Sequence, residues 1–289
     1  MMLNENTSGG HGPWGMKAVR SVVSGMLCGC ALLIAPMAVV EAYDLADVLH
    51  GGAVSGTAIF SGAAPEPRRF VVQKDADICG QERVLTDVDV RDGLLSGTVI
   101  VLEGVRKGKP FQARSYAGDP PGGGRFTYAA GREGALEIRS KGCNFGPNAA
   151  VVMAETAVEF VNEDPMTHTV HTYAVFGREG LIHRTLHNRD LRAHSSMEET
   201  FTSQHLKQSQ IVRIGCDRHE FMQNWLYVVE SPYFAITGRD GRFVIDGVPP
   251  GSYDLIAWHP LLGVRTHSVT LIGAEQVEVT VDLSSGFAP

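Results

Sequence analysis

The chain has 289 residues with 44% hydrophobic content, enough for two ordinary domains with real cores. Its formal net charge is -7, from 25 Lys and Arg against 32 Asp and Glu. The basic residues are scattered, so no footprint for phosphate backbones appears and nucleic acid is not an expected partner.

Residues 1–42 read as an export signal. Lys17 and Arg20 form a basic start, Ser21 to Val40 is apolar or small apart from Pro36, and Val40-Glu41-Ala42 offers a cleavage site near Ala42. The alternatives are an uncleaved anchor of marginal spanning length and a lipoprotein box ending at Cys30. With the signal removed, no membrane span is expected in the mature chain, which would be periplasmic or otherwise exported. Cys79, Cys143 and Cys216 remain. In an oxidising compartment three cysteines suggest one bridge and one cysteine kept for another purpose. Our expected pair is Cys79 with Cys143, two buried free thiols being the alternative.

From Gly51 onward, short β-branched and aromatic runs are broken every ten residues or so by Gly, Pro, Asn or Asp. No helical period lasts beyond two turns, which predicts an all-β chain. Predicted strands are Gly56 to Phe60, Ser96 to Leu102, Phe234 to Ile236, Phe243 to Ile245, Tyr253 to Trp258 and Gln276 to Leu283. Asp240-Gly241 predicts a hairpin, because Gly supplies the positive φ of a tight turn. The segment from Ala174 to Gln210 carries His183, His187, His194 and His205 with several arginines. It reads as a solvated, irregular connection, with a second metal site or docking face as the alternative.

Between these strands lie the residues that carry chemistry. Val212-Arg-Ile-Gly-Cys216-Asp-Arg-His219-Glu-Phe-Met222 brings a strand into a loop with Cys, His and Met at three-residue steps. A thiolate, an imidazole and a thioether suit an ion that cycles between Cu(I) and Cu(II), the usual plan being two His and one Cys with a long axial Met. Zinc is the next metal, but a thioether is a poor zinc ligand. A second His is needed from elsewhere, and Asn162-Glu-Asp-Pro-Met-Thr-His168-Thr-Val-His171 supplies one.

Phe145-Gly-Pro, Ala154 to Asn162, Pro-x-x-His-x-Val-His and Cys-x-x-His-x-x-Met resemble, in this order, the elements of cupredoxins, with a ligand loop as short as that of amicyanin. The resemblance implies one type 1 copper ion held by His168, Cys216, His219 and Met222, with Asn162 and Thr169 supporting the ligands and His171 a non-ligand. Thr169 stands where the family commonly has Asn, and Arg218 and Glu220 flank His219 where it has proline. Family resemblance also implies that His219 emerges through an apolar docking patch, here expected from Phe221, Pro165 and Met166.

Gly52 to Ala58 and Thr237 to Leu255 resemble the two halves of a carboxypeptidase regulatory-like, transthyretin-like sandwich. The implied plan is a cupredoxin Greek-key sandwich at 116–230 inserted in, or joined to, a second sandwich built from 43–115 and 231–289. Three small domains in series is the alternative. Methylamine-utilisation-type proteins combine the same two parts.

The expected function is single-electron transport between redox partners, such as a c-type cytochrome or a dehydrogenase. No binuclear copper pattern occurs, since Val212 and Glu220 occupy the positions four residues from Cys216. The absence of any His-x-His pair argues against a trinuclear oxidase cluster, and an enzyme is not expected. The competing readings are a Cu(I) chaperone or sensor, and an extracellular binding module in which the metal only braces the fold.

Overall fold

The computed structural model describes residues 43–111, 115–116, 126–127, 136–146, 149–176, 182–207 and 209–284, so the segment expected to be an export signal lies outside it. The described chain is nearly all β. In chain order the principal elements are β1 (Gly52–Ile59), β2 (Arg68–Val71), α1 (Ala76–Cys79), β3 (Glu82–Leu85), β4 (Val99–Glu103), β5 (Leu136–Ser140), β6 (Phe145–Gly146) and β7 (Ala149–Met153). Next come β8 (Ala157–Asn162), β9 (His168–Phe176), β10 (Ile182–Leu191), β11 (Ser196–Thr200), α2 (Ser203–Leu206), β12 (Ile211–Cys216) and β13 (His219–Val229). The chain finishes with β14 (Phe234–Ile236), β15 (Arg242–Val248), β16 (Gly251–His259), β17 (Gly263–Leu271) and β18 (Gln276–Asp282). Among the described residues no helix is long and apolar enough to cross a membrane.

Four sheets organise these strands apart from β2 and β3, which pair with each other. The first runs β6-β5-β8-β11 and the second β7-β13-β12-β9-β10. The third runs β14-β4-β16-β17, and in the fourth β1 is flanked by β15 and β18. Close flanking explains Gly56 in β1, where a Cβ would come within 1.9 Å of the Val279 carbonyl oxygen.

In the third sheet β4, β14 and the second half of β16 are buried on both faces. On one side Val99, Val101, Phe234, Ile236, Ile256 and Trp258 join the core that contains β5 to β13. On the other, Ile100, Leu102, Ala235, Leu255 and Ala257 join the core around β1. This is why β4 reads as an unbroken apolar run, Val99 to Leu102, instead of alternating. Trp258 meets Tyr227 and Trp225 of β13 at ring-centroid distances of 5.5 and 6.3 Å.

Two sequence expectations change. Asp240-Gly241 does form a turn, with Gly241 at φ 67°, but β14 pairs with β4 and β15 with β1, so the turn carries the chain between two sheets and closes no hairpin. A Cβ on Gly241 would come within 2.7 Å of the Ala58 carbonyl oxygen at this crossing. The segment from Ala174 to Gln210 is not an irregular connection either, since it contains β10, β11 and α2. Its polar composition follows from position: among the described residues β10 pairs only with β9, at the edge of its sheet.

Candidate metal centre

Strand alternation decides which histidine faces inward. In β9 the even-numbered residues His168, Val170, Thr172 and Ala174 are fully buried, whereas His171 and Tyr173 are only partly covered. His171 instead meets Asp217, with Nδ1 2.7 Å from Oδ1, and Thr185. The same parity in β12 buries Val212, Ile214 and Cys216. A register shift between Gly215 and Cys216, where the chain turns into β13, sets Cys216 opposite His219.

His168, Cys216 and His219 converge. Each offers one donor atom, and all three atoms lie within 4.8 Å of one another. Nδ1 of His168 is 4.0 Å and Nδ1 of His219 is 3.8 Å from Cys216 Sγ, with the imidazoles edge to face at 5.3 Å between centroids. All three are buried. Met222, three residues on, is also buried and belongs to the same core as Cys216. The donor chemistry, two imidazole nitrogens around a cysteine sulfur with a thioether three residues beyond His219 in β13, fits copper.

Each imidazole is held from its far edge by a carboxylate. Nε2 of His168 is 2.8 Å from Asp164 Oδ2, and Nε2 of His219 is 3.2 Å from Asp75 Oδ2. A carboxylate that accepts a hydrogen bond from Nε2–H leaves the lone pair on Nδ1, which is the nitrogen turned toward Cys216 in both rings. Asp164 is itself clasped by Ser140 Oγ at 3.0 Å and by the backbone N–H groups of Cys143, at 2.9 Å, and Gly142. Burial works to raise its carboxyl, but these bonds and His168 outweigh it and hold the group below the usual carboxylate range. Burial, opposed by Asp75, pushes the His219 imidazole below its ordinary value.

Asn162 shapes the loop before His168. Its side-chain amide donates to the carbonyls of Met166, Leu191 and Arg192, and its oxygen accepts the Asp164 N–H. Thr169 acts through its backbone: its N–H donates to Cys216 Sγ at 3.3 Å. Its hydroxyl turns to Asp190 Oδ1, 3.4 Å away, and Arg218 approaches the same oxygen at 3.6 Å. Asp190 thus lies between the two ligand loops.

The docking patch is where expectation and structure part. The His219 side chain is 1% exposed and Phe221 is buried, while Pro165 is exposed and Met166 half-buried. What covers them is the antiparallel pair β2–β3 with α1 between. Phe70 packs on Phe221 at 6.3 Å, Arg83 lies over the same ring, and Cys79 Sγ sits 3.8 Å from His219 Nε2. Cys79 and Cys143 are joined in a disulfide with Cα atoms 5.2 Å apart, fastening this cap to the turn that clasps Asp164. Cys216 is the free cysteine among the described residues.

Sequence reasoning missed the two carboxylates. Asp164 had a signal, an acidic residue four positions before a candidate ligand, but Asp75 had none. Among the described residues the histidines of the 174–210 segment form no further cluster of metal-ligating groups. His259 is buried and its Nδ1 accepts the Leu261 N–H at 3.3 Å, a satisfied structural histidine.

No family model and no curated protein matches the chain. Among solved structures, a reduced variant of amicyanin matches at 19% identity and TM-score 0.27, over 34% of this chain and 85% of that one. An oxidised variant of amicyanin matches over the same shares at 19% identity and TM-score 0.28. A copper-containing nitrite reductase from Thermus scotoductus SA-01 matches at 22% identity and TM-score 0.26, over 35% of this chain and 24% of that one.

Proposed function

We propose that this chain is an exported type 1 copper protein that carries single electrons between redox partners. The observation that carries the reading is the convergence of two Nδ1 atoms on one buried sulfur, at 3.8 and 4.0 Å. Copper, when bound, would supply a one-electron couple reached through the thiolate. His168 and His219 would hold it through Nδ1 and Cys216 through Sγ, with Met222 as the weaker fourth donor. The Thr169 N–H would tune the sulfur, and burial would keep water from the ligands.

Burial of both imidazoles also supports a carrier over a copper-transfer protein. A protein that hands on Cu(I) needs ligands that an acceptor can reach, and here the cap closes the His219 edge. We read the copper residues as one domain, 116–230, held on a regulatory-like scaffold formed by 43–115 and 231–289. A c-type cytochrome or a dehydrogenase is the partner class we propose. Cyclic voltammetry of the copper-loaded protein tests the reading. A reversible one-electron wave is expected, and copper that binds without such a wave would favour metal handling or a structural role.

A further inference from the structure

His219 is held from outside its own sandwich. Asp75, whose Oδ2 is 3.2 Å from His219 Nε2, is 144 residues away in sequence, and its side chain is 43% exposed. Its place is fixed by the backbone. Asp75 has φ 57°, a left-handed conformation that Asp and Asn tolerate better than most non-glycine residues. Its carbonyl accepts the N–H groups of Ile78 and Cys79, at 3.0 and 2.8 Å, and Cys79 is bonded to Cys143. The cap is therefore anchored to the turn that clasps Asp164, and presents a carboxylate to the candidate imidazole ligand that Asp164 does not touch.

We infer that Asp75 is a positioning residue for His219, doing from the surface what Asp164 does for His168 from the core. Its carboxylate accepts a hydrogen bond from Nε2–H, fixes the tautomer whose Nδ1 lone pair faces Cys216, and sets a negative charge against the ring that favours the more highly charged oxidation state of a bound metal. The effect on oxidation state rests on the copper reading of the site; the tautomer does not.

Two measurements on the full chain test it. The first is the ring-nitrogen spectrum of 15N-labelled, metal-free protein at alkaline pH. A single Nε2–H tautomer at His219 is expected in the wild type, with the Nδ1–H tautomer appearing in Asp75→Asn, whose amide can donate as well as accept. A wild-type proton resident on Nδ1 would overturn the inference whatever copper does. The second is the reduction potential of copper-loaded Asp75→Asn, set beside Asp77→Asn, an exposed carboxylate on the same helix. Asn keeps the left-handed backbone, and an unchanged circular dichroism melt shows that the fold is kept. The Asp75→Asn change should shift the Cu(II)/Cu(I) balance about tenfold toward Cu(I), ~59 mV upward for one electron, and Asp77→Asn less than threefold. A coloured Asp75→Asn centre within threefold of wild type would reject Asp75 while leaving the copper reading intact. A wild type that takes up no copper would reject the copper reading and leave the tautomer to decide on Asp75.

Discussion

Asp164 Oδ2 lies 2.8 Å from His168 Nε2 and turns the opposite nitrogen of that ring toward Cys216. The carboxylate is buried and accepts three further hydrogen bonds. It is therefore both a ligand-orienting group and part of the fold. Asp164→Asn should weaken copper binding by about 10- to 100-fold. It should also destabilise the metal-free protein by about 1–3 kcal/mol, because it strands the Cys143 and Gly142 donors or forces an amide N–H against them. A competitive copper titration against a chelator and a urea melt check the two effects.

The cap depends on its disulfide. The bridge closes a separation of 64 residues, for which the loop-entropy relation gives about 4 kcal/mol of stabilisation. Replacing both Cys79 and Cys143 with Ala should lower stability by that order in chemical denaturation. It should also speed copper loss to an external chelator, since Cys79 then no longer holds α1 against His219. Unchanged copper release from the double variant would mean that the cap closes without the bridge.

Much of the architecture was legible because local chemistry and tertiary position agree. Val99 to Leu102 reads apolar throughout and is buried on both faces, and the alternation in β9 separates His168 from His171. The remainder depends on contacts distant in sequence. Asp240-Gly241 has the same turn chemistry whether the flanking strands pair with each other or cross to different sheets, and only their partners, β4 and β1, decide. The polar strand β10 imitates a loop because it bonds to one neighbour. Asp75 is invisible as a candidate because its relation to His219 exists only once the cap is folded over the ligand loop.

The join between the two cores carries its own prediction. Trp258 is buried in the same core as Ile256 and meets the rings of Tyr227 and Trp225 across the sheets. Trp258→Ala should cost about 3–5 kcal/mol, as expected for a large cavity in a core. A loss under about 1 kcal/mol in a denaturant melt would mean that the third sheet does not couple the two cores.

A buried histidine makes the fold sensitive to acid. Burial pushes His259 down to about 4, and protonating Nδ1 would displace the Leu261 N–H that it accepts. Because the folded value lies below the ordinary 6.5, the unfolded chain binds more protons between those two pH values. Stability from this group is then complete above about pH 6.5 and falls as the pH drops toward 4, by about 3 kcal/mol in all. Denaturant melts from pH 7 to 4 should follow that slope, and His259→Phe should flatten it.

The measurement that bears most directly on the proposed function is the visible and electron paramagnetic resonance spectrum of the full chain loaded with one equivalent of Cu(II), beside Cys216→Ala. The expected result is an intense blue or green thiolate-to-copper band with a mononuclear Cu(II) signal of small hyperfine splitting, both lost in Cys216→Ala. A colourless complex, or a spectrum indifferent to Cys216, would contradict the reading of His168, Cys216, His219 and Met222 as a type 1 copper centre.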